Sequence, residues 1–166
     1  MNMNETMTDL DDRVQKAVEL FMQGYNCSQS VFLAFADLYG MDEDTAKRVS
    51  AGFGGGVGRM RMMCGAVSGM VMLAGLDAGQ TDGNDRKGKA DCYAMVQRLV
   101  NEFKEENGSV ICAELLGMSG CKVVRDSTVP DERNTEYYRV RPCSRKVENA
   151  ARLFADYLEA KRQDAK

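Results

Sequence analysis

The sequence contains no histidine. That absence removes Ser-His-Asp and Cys-His catalysis, histidine zinc sites and histidine-ligated haem. Thiol or soft-metal chemistry therefore falls to cysteine alone. Tryptophan is also missing and there are only two prolines, so little interrupts helices. No run approaches the ~18 apolar residues of a membrane span, and the opening "MNMNETMTDLDDR" carries acids where a secretory signal would carry an apolar segment. These features predict a cytoplasmic protein without membrane insertion. No two cysteines have the Cys-x-x-Cys spacing of thioredoxins, zinc ribbons or ferredoxins, so a shared site must be assembled from distant segments. A net charge of −3 argues against nucleic acid as a partner.

What is present reads as a single helical domain over residues 1–166, long enough to bury a core without cross-links. Leu10, Val14, Ala17, Val18 and Phe21 recur at helical spacing after a capping signal at Thr8 and Asp11. Val31, Phe32, Phe35 and Leu38 mark a second helix, capped by Ser28 and stopped by Gly40. Asp42 caps a third, carrying Ala46, Val49 and Phe53. After a glycine-rich loop, a fourth runs from about Cys64 to Leu76, with Gly65 and Gly69 sharing one face that another backbone can approach. Cys92, Val96, Leu99 and Phe103 align along a long helix closing near Gly108, and Ser109 caps a short one, "VICAELL". Pro142 suits the start of a last helix with Val147, Ala150, Ala151, Phe154, Tyr157 and Leu158 in its buried stripe. The expectation is an all-α bundle of six or seven helices. Residues 118–141 form a long connection with room for a small β-hairpin from "CKVV" and "EYYRV", while residues 1–7 are expected to be disordered and 160–166 to fray.

Of the six cysteines, Cys27, Cys64, Cys112 and Cys143 each fall at a predicted helix entrance, just after a loop. Unpaired amides and the partial positive charge there stabilise a thiolate, which is both the nucleophile and the metal ligand. Arg59 and Arg61 precede Cys64, and Arg141 and Arg145 flank Cys143, which would push in the same direction. Cys92 continues an apolar helix face and is expected to be buried; Cys121 is a loop residue or a resolving thiol. The loop "FGGGVGR" lacks the Gly-Lys-Ser/Thr ending of a P-loop. Gly54, Gly55, Gly56 and Gly58, with Arg59, instead read as a concavity able to hold an anion, a sulfur ligand or a cluster beside Cys64.

The order "YNCSQSV", "GFGGGVGRMRMMCGAVSG", "SVICAELLG", "RPCSRKV" resembles a bacterial family named for its four cysteines, the C_GCAxxG_C_C family of redox-active proteins. The resemblance selects Cys27, Cys64, Cys112 and Cys143 and implies a small, mainly helical protein with a redox or metal-related role. The leading expectation is a cysteine-based redox protein in which Cys64 is the principal reactive thiol, Cys27 or Cys143 resolves it, and Cys112 completes the set. The alternative makes the same four residues ligands of a metal ion or iron-sulfur cluster. A third reading is a non-catalytic interaction module with inert cysteines, self-associating as a homodimer through Gly65 and Gly69. The implied partner is a redox protein or a small molecule.

Overall fold

The computed structural model describes residues 3–166, with side-chain surroundings from residue 9 onward. The expectation of disorder over residues 1–7 falls partly outside that range. Among the described residues there are eight α-helices. They are α1 (Met3–Met22), α2 (Cys27–Leu33), α3 (Glu43–Ala51), α4 (Gly65–Ala78), α5 (Arg86–Asn107), α6 (Cys112–Met118), α7 (Thr135–Val140) and α8 (Cys143–Asp164), with a 3₁₀ turn at Ala36–Tyr39. None is long and apolar enough to cross a membrane.

The bundle is built around α4, whose sequence "GAVSGMVMLAGLDA" is apolar on every side. A helix of that kind is stable in water only when surrounded. It packs against α2, α5 and α8, while α8 and α1 lie along one another and α2 fills the middle. Phe21, Phe32, Phe35, Phe103 and Phe154 are fully buried. Each such side chain contributes roughly 1.5–3 kcal/mol. Phe35 meets Phe154 edge to face at 5.1 Å, the geometry that the ring quadrupoles favour.

The face shared by Gly65 and Gly69 is filled from within the chain. A Cβ at Gly69 would stand 2.9 Å from the Ser28 carbonyl oxygen, and one at Gly65 would stand 3.1 Å from the Cys27 Cβ. The close approach permitted by the glycines therefore seats α2 on α4, and this face is not open to a second copy.

At the far end of α4, Asp77 accepts hydrogen bonds from the Tyr39 and Tyr157 hydroxyls and the Lys161 ammonium, at 3.0, 2.5 and 3.0 Å. Burial pushes its carboxyl up, but these donors outweigh it and hold the group below the usual carboxylate range. Asp77→Ala is expected to cost about 2–3 kcal/mol, because three donors lose their acceptor in a half-buried setting. Urea unfolding reads this directly.

Several sequence expectations are corrected. The β-hairpin is absent: "CKVV" is irregular, and "EYYRV" lies in α7, whose first turn is capped by the Asn134 side chain accepting from the Tyr137 amide. Tyr137 and Tyr138 pack on Phe21, so their β propensity is overridden by a tertiary contact. The long connection thus contains a helix, and α8 continues through the expected frayed end as far as Asp164. Helix α1 starts at Met3, ahead of the Thr8 signal. The second helix stops at Leu33 and tightens into the 3₁₀ turn, and Asn26 rather than Ser28 caps it. Helix α3 ends at Ala51, short of Phe53, and both Phe53 and Val49, the latter on the outer face of the helix, are exposed.

Candidate functional site

All four helix-entrance cysteines line one cavity of about 420 Å³, together with Gly54, Gly55, Gly56, Gly58 and Arg59. Cys27, Cys112 and Cys143 are the first residues of α2, α6 and α8, and Cys64 is the N-cap of α4. Cys92 is buried in α5 and Cys121 lies in the connection with its thiol toward the Val140 carbonyl; neither lines the cavity.

Local structure explains the convergence. Asn26 and Gln29 form a reciprocal capping box that fixes the start of α2, and the Asn26 amide nitrogen donates to the Ala51 carbonyl at 2.9 Å. Gly54 leaves the room that the Asn26 side chain occupies. Next, residues 61–64 run antiparallel to residues 110–113. The Cys64 amide donates to the Val110 carbonyl at 2.7 Å and the Cys112 amide to the Met62 carbonyl at 2.6 Å, around a single bridge between Met63 and Ile111. This short pairing brings two cysteine-bearing helix starts to the same wall.

Between these elements the backbone takes a left-handed course. Gly55, Gly56, Val57, Gly58, Arg59 and Arg61 all have positive φ, from 56° to 71°. For a β-branched residue such as Val57 this costs on the order of 1–2 kcal/mol, strain of a kind that collects at functional sites. The amides of Gly58, Arg59, Arg61 and Met62 are spent on carbonyls of residues 52–56, so these four are not free to cradle an anion. The turn instead delivers side chains. Arg59 donates to the Ser127 carbonyl at 2.6 Å and Arg61 to the Val124 carbonyl at 3.1 Å, which folds the irregular connection over the cavity. Gly56 leaves no room for a side chain, since a Cβ there would lie 2.6 Å from the Met62 amide nitrogen and 2.7 Å from the Cys112 Cβ with φ at 71°. Gly56→Ala is expected to destabilise the fold by about 2–4 kcal/mol, through overpacking added to the left-handed penalty. Thermal unfolding would show it, and faster labelling of Cys112 would report the displaced thiol.

The thiols are not equivalent. Cys27 and Cys143, from α2 and α8, face the same cavity, with the Cys27 thiol placed to support a Cys143 thiolate by hydrogen bonding. Such a bond, with the nearby Arg141, Arg133 and Arg61 guanidiniums, lowers Cys143 to about 7 against the opposing effect of burial. The same bond and burial raise Cys27 well above its ordinary value. Cys64, only 6% exposed, is pushed up to about 12 by burial, which outweighs the pull of the Val67 and Ala66 amides. Cys112 is raised by burial, while the hydrogen bond and charge of Arg61, whose Nη1 lies 3.8 Å from the sulfur, pull it back. The electrostatics therefore favour Cys143 over Cys64 as the thiolate.

Among the described residues no group of three or more cysteine, aspartate or glutamate side chains is arranged to hold a metal ion. Met60 and Met62 are exposed and stand outside the cavity. Arg61, Arg133 and Arg141 line it, and Arg145 does not. The sequence offered the positions of Arg61 and Arg141 as neighbours of cysteines, but nothing in it pointed to Arg133 or Asp131.

Fold and site together define an all-helical protein that gathers four thiols and several arginines around one cavity. The chain belongs to the family described as "Putative redox-active protein (C_GCAxxG_C_C)", whose sequence model matches residues 25–157. It is also similar to a protein of Archaeoglobus fulgidus described as "Uncharacterized protein", with 28% identity over 116 residues, covering 66% of this chain and 77% of the relative. No solved structure matches the chain.

Proposed function

We propose that the protein is a dithiol redox protein in which Cys143 is the attacking thiolate and Cys27 the resolving thiol. The observation that carries this reading is the pair of thiols facing one cavity with Arg133 and Arg141 beside Cys143, a setting that lowers that thiol to about 7 and raises its neighbour. A thiol whose pKa lies near ambient pH combines a large thiolate fraction with only a modest loss of nucleophilicity, the optimum for exchange. The neighbouring thiol keeps its proton until a mixed disulfide has formed on Cys143, then loses it and closes the protein disulfide. Cys64 and Cys112, on the same cavity, are the reserve thiols of the site. Oxidation is expected to remove two free thiols from the wild-type chain and none from Cys143→Ala, as counted by mass after alkylation. Loss of two thiols from Cys143→Ala would sink the assignment.

A second reading, four thiolates holding a metal ion or an iron-sulfur cluster, draws on the convergence of Cys27, Cys64, Cys112 and Cys143 on one cavity. It requires the sulfurs to draw closer than they stand. About one zinc, or irons with acid-labile sulfide, per chain purified without oxygen or chelator would favour it. Metal-free protein that still forms the disulfide supports the dithiol reading.

A further inference from the structure

The charges around the thiols are strongly one-sided. Arg59, Arg61, Arg133, Arg141 and Lys146 line the cavity and Asp131 is the one acid among the lining residues. Asp131 is already shared: one of its oxygens takes Arg141 at 2.6 Å and Arg59 at 3.1 Å, with Arg61 at 3.8 Å. Arg133 is committed to the fold, stacked 4.2 Å from the Phe21 ring centre and donating to the Phe21 and Tyr25 carbonyls. Arg61 is different. It is only 5% exposed, its Nε donates to the Val124 carbonyl and its Nη1 reaches Cys112, but its Nη2 has no hydrogen-bond partner and stands 3.8 Å from the Asp131 oxygen that Arg141 and Arg59 already take. A buried guanidinium N–H left unpaired is costly, and one on the wall of a cavity is a waiting donor for an anion.

The size of the cavity limits what can enter. A space of about 420 Å³ falls in the range of small-molecule sites and holds a compound of modest size. The left-handed turn and the connection it clamps flank the thiols, of which Cys27, Cys112 and Cys143 stay partly exposed, and a small molecule carrying the sulfur fits the opening.

We propose that the oxidant of the Cys27–Cys143 pair is a low-molecular-weight disulfide bearing a carboxylate or similar anion, held with its negative group against Arg61 and Arg141. This rests on the dithiol reading above and adds the substrate class. In the reaction the Cys143 thiolate attacks one sulfur of the substrate, the substrate S–S bond breaks, and the leaving thiolate departs with the bonding pair and takes up a proton. Cys27 then loses its proton to solvent and attacks the Cys143 sulfur. The second substrate thiolate departs, and a Cys27–Cys143 disulfide remains. The protein pair is oxidised by two electrons and the substrate is reduced to two thiols.

Three symmetrical disulfides test this on the reduced full-length chain: dianionic 3,3′-dithiodipropionate, neutral 2-hydroxyethyl disulfide and dicationic cystamine. Each rate is divided by that of free 2-mercaptoethanol thiolate with the same disulfide, which cancels intrinsic reactivity. The expected order is dianion, neutral, dication, with about tenfold between successive members at low salt and convergence at high salt. Arg61→Gln is expected to slow the dianion about tenfold more than it slows the neutral disulfide, whose own smaller loss measures the reduced thiolate fraction of Cys143. Arg141→Gln gives the same pattern should Arg61→Gln fail to fold, and the neutral probe reports that the site is intact. Equal normalised rates for all three, or cystamine fastest, would overturn the anionic substrate while leaving the dithiol reading standing, provided the neutral probe still forms the Cys27–Cys143 disulfide. Failure of every probe to form that disulfide would overturn both.

Discussion

Replacing Cys27 by alanine is expected to slow alkylation of Cys143 by iodoacetamide at pH 7 by about tenfold or more. In the wild-type chain Cys143 is lowered to about 7, so near that pH about half of it is thiolate. The first cause of the lowering is the hydrogen bond from Cys27, and alanine supplies no donor. Without it the pKa climbs toward the ordinary thiol value of about 8.5, and the thiolate fraction at pH 7 falls to roughly 3%. The sign across pH follows. A group with a depressed pKa keeps its thiolate above about 7 and loses it as pH falls through that value. The wild-type rate should plateau near pH 8 and drop tenfold per unit well below 7; in Cys27→Ala the whole profile moves upward. Arg141→Gln should move it the same way by less, since that charge ranks behind the hydrogen bond. A profile unchanged by Cys27→Ala would mean that the pair does not hold the thiolate.

Two glycines of α4 should respond to substitution with opposite signs. Gly69→Val is expected to destabilise the protein by about 3 kcal/mol, because even a Cβ would meet the Ser28 carbonyl oxygen at 2.9 Å and the Val31 Cβ at 3.1 Å. For a chain of this length that lowers Tm by roughly 6–12 °C. Gly75 lies in the same helix with nothing within 4 Å of a Cβ. Gly75→Ala is expected to stabilise by about 0.5–1 kcal/mol, since alanine loses less backbone entropy on entering a helix. The pair separates helix propensity from packing. The seat of Cys27 depends on the packing, because Gly65, four residues earlier on the same face, is where α2 brings that cysteine against α4. If both variants were equally tolerated, the close α2–α4 contact would not be what positions the thiol.

Much of this organisation is legible in the sequence because it is local. Apolar spacing marks α1, α5 and α8, a run of small and apolar residues marks α4, and glycine closes α5 through a left-handed Gly108. The four cysteines sit at helix entrances because caps and loop residues are readable a few positions away. What was not legible depends on contacts between distant segments. No local rule places Val57, Arg59 and Arg61 in left-handed backbone, which persists because glycines surround them and the connection is clamped on top. The sequence reading puts Cys64 first among the thiols, and what no local pattern shows is its burial and where the arginines go: Arg61 reaches Cys112, and Arg61, Arg133 and Arg141 all lie near Cys143. Likewise "EYYRV" has the composition of a strand, and only the rings it lays on Phe21 decide for helix.

The most direct test of the dithiol account is a disulfide map of the full-length chain. Reduced protein is oxidised with a small neutral disulfide, remaining thiols are blocked, and non-reduced peptides are identified by mass spectrometry. The account predicts one dominant cross-link, Cys27 to Cys143, with Cys64 recovered as the blocked thiol. A map in which Cys64 carries the dominant disulfide, or in which Cys27 and Cys143 are recovered as free thiols after oxidation, would contradict it.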